Sequence, residues 1–164
     1  MRGMTYRFEN TIVLLIDNHP AMVDLIGRVL QTFGVKRILT QMDGSQGLET
    51  FVRERPDLVI IDYDLLSISG MEFAAAVRSG TINPYVPIIF MTSLSSEDCI
   101  VSARDSGITE FLKKPFTAEA LYQRIVNVIE HPRSFIHSTG FIGPDRRRRE
   151  DKDAYTGQDR REED

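Results

Sequence analysis

One short stretch constrains the fold of this chain more than any other part of the sequence. Four apolar residues, Leu58 to Ile61, run directly into the carboxylate of Asp62. Pro56 precedes them and Gly70 lies beyond the acid, so the pattern predicts a strand over 56–62 that is buried on both faces. Asp62 then emerges at the carboxyl end of the sheet, where ligands and chemistry collect in open α/β folds. We therefore take Asp62 as the first candidate functional residue.

Composition limits the class of protein. The chain has 164 residues, 41% hydrophobic and 27% charged, which suits one globular core but not two comfortable domains. No apolar run approaches the roughly 20 residues of a membrane helix, and residues 1–10 lack the apolar segment of a signal peptide. A single cysteine, Cys99, allows no internal disulfide and predicts a reducing, cytoplasmic location. The net charge of −4 argues against a globally basic nucleic-acid binder.

Five apolar strands alternate with five helices along the chain. The strands are predicted at 11–16, 35–41, 56–62, 87–92 and 110–113. The helices are predicted to begin at Pro20, Ser45, Met71, Ser95 and Thr117 and to end at Gly34, Arg55, Gly80, Gly107 and His131. In these assignments Ser45 and Thr117 are the capping residues of their helices.

This alternation predicts an α/β protein with a parallel sheet and helices on both faces. Right-handed crossovers leave few strand orders, and the doubly wound solution for five strands is 2-1-3-4-5, the flavodoxin-like order. Strands 1 and 3 are then neighbours at the switch point. Asp17, which follows strand 1, and Asp62 would meet at one crevice.

Polar side chains follow four of the five strands and would converge on that edge of the sheet. A cluster of carboxylates repels itself unless a cation binds, and hard oxygen ligands suit Mg²⁺. A carboxylate can accept a phosphoryl group as an acyl phosphate, whose charge a metal, a lysine and a hydroxyl would neutralise. The candidate residues are Asp17, Asn18, Asp62, Asp64, Thr92, Ser93 and Lys114.

Five motifs in order resemble the receiver domain of two-component response regulators, over about residues 11–131. This module accepts a phosphoryl group from a histidine kinase or a phosphotransfer protein. The resemblance rests on Leu14–Pro20, Pro56–Asp62, Ser69–Phe73, Pro87–Thr92 and Phe111–Phe116. Each motif alone is weakly specific, but the five at these separations form a strong signal.

The resemblance implies a role for each matching residue. Asp62 would be the phosphoacceptor, Asp17 an acid of the Mg²⁺ pocket, and Asp64 the donor of a backbone carbonyl to the metal. Thr92 would sense the phosphoryl oxygen as a switch residue, and Lys114 would pair with it.

Two further positions match the family pattern, and two others depart from it. Phe111 stands where the family has an aromatic switch residue, and Lys114-Pro115 where it has a cis peptide. Asn18 replaces the usual second acid of the metal pocket, which should lower the Mg²⁺ affinity. Leu66 replaces the usual proline after the acceptor and should leave that loop less fixed.

The last 33 residues, 132–164, are different material, with eight basic and eight acidic residues. A helix could start at Gly143-Pro144-Asp145 and run to Asp151, although it has no apolar face. The neutral balance favours a self-paired, disordered extension, while Arg146 to Arg149 leave open an anionic partner. This composition does not fit a helix-turn-helix, and from the length we expect no attached enzymatic output domain.

The resulting hypothesis is a stand-alone receiver, not an enzyme in the usual sense. It would signal by protein contact through the face of the fourth helix, the last strand and the last helix, where Tyr122 and Val126 are candidate contacts. Two other classes stay open. One is an adaptor that works without phosphorylation, motivated by Asn18 and Leu66. The other is a phosphatase of the haloacid dehalogenase type, because Asp62-Tyr63-Asp64 resembles its nucleophile pair.

The sequence assigns no function to the histidines or to the cysteine. The three histidines, His19, His131 and His137, share no metal-ligand spacing, so we interpret them as structural or solvated. Cys99 on its helix is interpreted as a small apolar residue.

Overall fold

A computed structural model describes residues 8–93, 97–105, 107–130, 135–138 and 141–144 of the chain. The strands of its main sheet are β1 (Ile12–Ile16), β2 (Arg37–Gln41), β3 (Leu58–Asp62), β4 (Ile88–Thr92) and β5 (Glu110–Lys113). The helices are α1 (Pro20–Thr32), α2 (Gly44–Glu54), α3 (Gly70–Ser79), α4 (Glu97–Asp105) and α5 (Ala118–Glu130).

The five strands pair in parallel in the order β2-β1-β3-β4-β5. The predicted fold class and strand order are therefore confirmed. β3 is central and buried at every residue, as its continuous apolar run requires. In β1 the side chains alternate between two cores: Val13 and Leu15 belong to one cluster, Leu14 and Ile16 to the other. Helices α1 and α5 cover the first face, and α2 and α3 the second.

Strands β2 and β3 begin later than predicted, because residues just before them make other hydrogen bonds. β2 begins at Arg37, since the backbone N–H of Val35 donates to the carbonyl of Leu30 at the end of α1 (3.1 Å). β3 begins at Leu58 rather than Pro56. Asp57 lies before it, and its side chain accepts a bond from the N–H of Ile12 (2.8 Å).

The capping residues were predicted correctly for one helix and wrongly for another. Thr117 caps α5 as predicted, with its hydroxyl accepting from the N–H of Ala120 (3.1 Å). Asp43, not Ser45, caps α2, because its carboxylate accepts from the N–H groups of both Ser45 and Gln46. The predicted start of α4 at Ser95 lies outside the described residues.

The last helix is more deeply packed than its pattern indicates. Tyr122 is buried, with its ring edge-on to Phe33 (centroids 5.2 Å apart) and to Phe8 (5.9 Å). Val126 is partly buried against the same core cluster. The prediction that Tyr122 offers a partner contact is therefore wrong, because Phe8 comes from outside the predicted domain and covers it.

A buried arginine connects the ends of the second face. The guanidinium of Arg78 donates to the carbonyls of Gly107 (2.7 Å), Pro84 (2.8 Å) and Val86 (2.7 Å). Burial lowers the pKa of Arg78 to about 10, which leaves it charged at neutral pH. With a further bond to the hydroxyl of Thr109 (3.4 Å), Arg78 makes four charge-assisted hydrogen bonds at the end of the sheet opposite Asp62.

Two further strands, β6 (Phe135–Ser138) and β7 (Phe141–Pro144), form an antiparallel pair. β7 lies next to α3, and Pro144 is buried. Gly143 and Pro144 therefore end a strand and do not begin the predicted helix. The missed signal is a pair of apolar dipeptides separated by a short connection with Gly140, which is typical of a hairpin. The other tail residues, including His131 and the Arg146–Arg149 run, lie outside the described residues.

Candidate functional site

The predicted site residues converge at the carboxyl ends of neighbouring strands. Asp17 follows β1, while Asp62 and Thr92 are the last residues of β3 and β4. The N–H of Lys114 donates to the carbonyl of Thr92 (2.7 Å) and so places Lys114 beside them after β5. Asp17, Asp62 and Thr92 are all buried, although none is apolar. The Lys114-Pro115 peptide is cis, as the resemblance implied.

Lys114 connects the two buried acids. Its ammonium group lies 3.1 Å from Oδ2 of Asp17 and 3.3 Å from Oδ1 of Asp62. One cation therefore neutralises part of the charge that two neighbouring carboxylates would otherwise leave uncompensated in a buried place.

The carboxyl group of Asp62 is electrostatically unusual. Burial raises its pKa above the ordinary aspartate value, the ammonium of Lys114 opposes that rise, and the carboxylate of Asp17 adds to it. A carboxylate whose charge is incompletely compensated gains from an additional cation or an additional hydrogen-bond donor nearby.

A cavity of about 360 Å³ opens above these groups. Asp64 is exposed at its wall, while Phe111 is partly buried against the second core cluster and is not among the lining residues. The cavity is lined by His19, Ala21, Met22, Asp62, Asp64, Thr92, Ser93 and Lys114. The structure thus brings together the predicted acids, hydroxyl and lysine, while Phe111 packs against the second core cluster outside the cavity.

Asn18 and His19 complete the surroundings of Asp17. The side-chain oxygen of Asn18 is buried and has no hydrogen-bond partner among the described residues. Nδ1 of His19 lies 3.0 Å from Oδ1 of Asp17, and the N–H of His19 donates to the same oxygen (2.9 Å). His19 is thus largely exposed and bonded to Asp17, which agrees with its interpretation as a structural or solvated residue. The spacing of residues in the sequence could not reveal this contact. A helix follows His19 directly, and no second ligand follows it at a metal-binding spacing.

The loop after β3 approaches Asp62 closely. A Cβ on Gly70 would lie 2.7 Å from the carbonyl oxygen of Asp62, so only glycine fits there without a shift. Earlier in this loop, the hydroxyl of Ser67 accepts a hydrogen bond from the hydroxyl of Ser45 at the start of α2 (3.1 Å). Leu66 is exposed in this loop. Two hydrogen bonds from Ser45 to Ser67 thus connect this loop, which includes Leu66, to α2.

These groups fit a divalent cation. One potential ligand atom from each of Asp17, His19 and Asp62 lies within 4.8 Å of the other two. The unpartnered oxygen of Asn18 is a further neutral donor in the same segment. Oxygen-rich surroundings of this kind are the ones that Mg²⁺ prefers, and the imidazole adds a nitrogen.

Comparison with known proteins identifies the class of this fold and site. The family model described as the response regulator receiver domain matches residues 13–126. The chain belongs to this family. Two-component receiver domains are signalling domains, and the receiver resemblance inferred from the motifs is confirmed.

Two similar proteins show how much of this chain, and of each relative, the similarity covers. The transcriptional regulatory protein GlrR of Escherichia coli is 34% identical over 72% of this chain, but the match spans only 26% of GlrR. The chain therefore matches about a quarter of that relative's length. The chemotaxis protein CheY4 of Vibrio cholerae has a TM-score of 0.69 at 28% identity, covering 73% of this chain and 98% of that chain.

A third comparison concerns the metal. The receiver domain of the sensor histidine kinase PA1611 from Pseudomonas aeruginosa has a TM-score of 0.65 at 26% identity, covering 71% of this chain and 94% of that one. That structure carries a magnesium ion in its active-site cleft.

Among the described residues of the present chain, no helix has the length and apolar character that crossing a membrane requires.

Proposed function

We propose that this chain is a single-domain response regulator whose Asp62 accepts a phosphoryl group from a histidine kinase or phosphotransfer protein. The observation that carries the proposal is the grouping of Asp62 with Asp17, Thr92 and Lys114 at one edge of a receiver fold. Transfer would form a bond between phosphorus and a carboxylate oxygen of Asp62, while the bond from phosphorus to the donor breaks.

Each neighbouring residue has a distinct role in the proposal. Lys114, already in contact with Asp62, would pair with a phosphoryl oxygen, and the hydroxyl of Thr92 would donate to another. Asp17, Asn18, a carboxylate oxygen of Asp62 and the backbone carbonyl of Asp64 would hold Mg²⁺. When bound, Mg²⁺ supplies positive charge for the phosphoryl oxygens. Phe111 would be a switch residue.

The output is proposed to be protein contact rather than catalysis of a substrate's turnover. The contact face would be that of α4, β5 and α5; Val101 of α4 is exposed. A receiver that signals by contact would resemble the CheY4 chain, which this chain matches over 98% of its length. A cytoplasmic location and a receiver over 11–131, with Phe8 of the preceding segment packed into its core, belong to the same proposal. The charged tail over 132–164 would either pair with itself or bind an anionic partner.

Labelling with acetyl phosphate in millimolar Mg²⁺ tests the phosphoacceptor directly. We expect a hydroxylamine-labile phosphate on the wild type that is lost in Asp62→Asn. Asp64→Asn is the matched control, because only its backbone carbonyl is invoked and the label should persist. Label that survives Asp62→Asn, or none on the wild type, contradicts the proposal.

The second candidate function is an adaptor that works without phosphorylation, and Asn18 is the observation that favours it. A neutral amide in the metal pocket removes one of the charges that would hold Mg²⁺. Pull-downs with wild type, Asp62→Ala and a chain ending at Glu130 separate the two functions. Equal partner capture by wild type and Asp62→Ala favours the adaptor, and a loss only in the shortened chain assigns partner choice to the tail.

A further inference from the structure

We infer that His19 supplies a nitrogen ligand that makes the metal pocket select first-row transition ions over Mg²⁺. This inference rests on the proposed function only in using the same pocket. It concerns which cation is held there and is independent of whether Asp62 is phosphorylated.

The geometry of His19 is suited to a shared ion. Its Nδ1 lies 3.0 Å from Oδ1 of Asp17, and the three ligand atoms of Asp17, His19 and Asp62 all lie within 4.8 Å of one another. Groups at such separations can converge on one cation with small side-chain rotations. The imidazole is the only nitrogen donor in this set, and imidazole suits Zn²⁺, Cu²⁺ and Ni²⁺ far better than Mg²⁺.

The position of His19 is fixed by its backbone. The N–H of His19 donates to Oδ1 of Asp17 (2.9 Å), and Pro20 begins α1 directly after it. His19 also lines the cavity next to Asp62, and its side chain is 67% exposed. The imidazole therefore lies at the solvent-exposed side of the cavity, where an arriving ion can reach it.

The carboxylates of Asp17 and Asp62 contact two kinds of partner, an ammonium group and an imidazole. Lys114 contacts Oδ2 of Asp17 and Oδ1 of Asp62, whereas His19 contacts the other oxygen of Asp17. The ammonium and the imidazole thus occupy different sides of the Asp17 carboxylate. An ion held beside His19 need not displace Lys114.

The charge of the pocket favours the same choice of ion. Mg²⁺ is held chiefly by negatively charged oxygens, and Asn18 provides a neutral one in place of an acid. The Asn18 oxygen is buried and without a hydrogen-bond partner among the described residues, and it carries no negative charge to offer a cation. Transition ions recover through the imidazole what Mg²⁺ loses through the missing carboxylate.

Isothermal titration calorimetry on protein without a histidine tag tests this inference with Mg²⁺, Mn²⁺ and Ni²⁺ as probes. We expect His19→Phe to weaken Ni²⁺ binding by about tenfold or more while changing Mg²⁺ affinity by less than about twofold. His137→Phe is the matched control and should leave both affinities unchanged. Equal losses for Ni²⁺ and Mg²⁺ in His19→Phe, or no loss for either, would overturn the inference.

Electron paramagnetic resonance of bound Cu²⁺ gives a second readout that does not depend on affinity. Nitrogen hyperfine structure should be present in the wild type and in His137→Phe and absent in His19→Phe. Its persistence in His19→Phe would refute the nitrogen ligand. Acetyl phosphate labelling of Asp62 reports on the proposed function separately, because either result there leaves the metal titration interpretable.

Discussion

The ammonium group of Lys114 lies 3.1 Å from Oδ2 of Asp17, a residue that is fully buried and 97 positions away in sequence. The same ammonium also contacts Asp62. Removing it leaves two acids facing each other in a place with little water. We expect Lys114→Met to lower the free energy of unfolding by about 3 kcal/mol, measured by urea denaturation.

The Lys114 variant should also respond to metal. Added Mg²⁺ neutralises the same carboxylates, so it should raise the Tm of Lys114→Met more than that of the wild type. Lys114→Arg keeps the charge and serves as the control, with less than half of the stability loss. A Lys114→Met protein as stable as the wild type would show that the two acids are compensated by other groups.

Asp62→Asn should make the folded protein more stable at neutral pH. Burial raises the folded-state pKa of Asp62 above its unfolded value, so stability falls as pH rises through this range. The amide cannot ionise and avoids that loss. The advantage of Asp62→Asn should shrink as pH falls through the raised pKa, which urea denaturation across acidic and neutral pH can follow. Asp64→Asn, at an exposed position, should show little change.

Tyr122 should matter for stability rather than for partner contact. Its ring lies between Phe8 and Phe33, so Tyr122→Ala should lower the free energy of unfolding by about 3–5 kcal/mol. Tyr122→Phe keeps the ring and should cost about 1 kcal/mol or less. A stable Tyr122→Ala protein that loses only its partner would reinstate the original prediction of a contact residue.

Two glycine-to-alanine changes should act in opposite directions. A Cβ on Gly70 meets the carbonyl of Asp62 at 2.7 Å, so Gly70→Ala should cost about 1–3 kcal/mol and slow phosphorylation of Asp62. A Cβ on Gly27, within α1, meets nothing within 4 Å. Gly27→Ala should therefore stabilise the protein by about 0.5–1 kcal/mol. Thermal denaturation of both variants, with labelling of Gly70→Ala, checks the pair.

Arg78→Met should be strongly destabilising although Arg78 is remote from the site. It leaves the carbonyls of Gly107, Pro84 and Val86 without their donor, at an expected total cost of about 3 kcal/mol. Arg124→Met is the control, because the Arg124–Glu110 pair is partly exposed and should contribute less than about 1 kcal/mol. Comparable losses in the two variants would contradict this account.

The strand order and the main site follow from simple features of the sequence. Apolar runs such as Leu58–Ile61 have no polar face, so they must lie inside a covered parallel sheet. The carboxyl ends of parallel strands share one edge, which is why the sequence predicts that Asp17, Asp62 and Lys114 lie together. The motif resemblance added roles to positions that the pattern had already grouped.

Other features depend on side-chain directions that a pattern does not carry. Asp43 and Ser45 are both good capping residues, and only the backbone geometry decides between them. His19 reaches Asp17 because of the turn before α1, not because of a ligand spacing. The β6–β7 pair was missed because the charged residues around it dominated the composition of that segment.

Phe8 has a practical consequence for handling this protein. It precedes every predicted element, yet it is 1% exposed and touches the aromatic pair of Phe33 and Tyr122. Trimming the chain to residue 11 would open a void under α5, so an expression boundary or protease site belongs upstream of Phe8. Phe8 thus completes the core of the domain, although it lies outside all the sequence motifs.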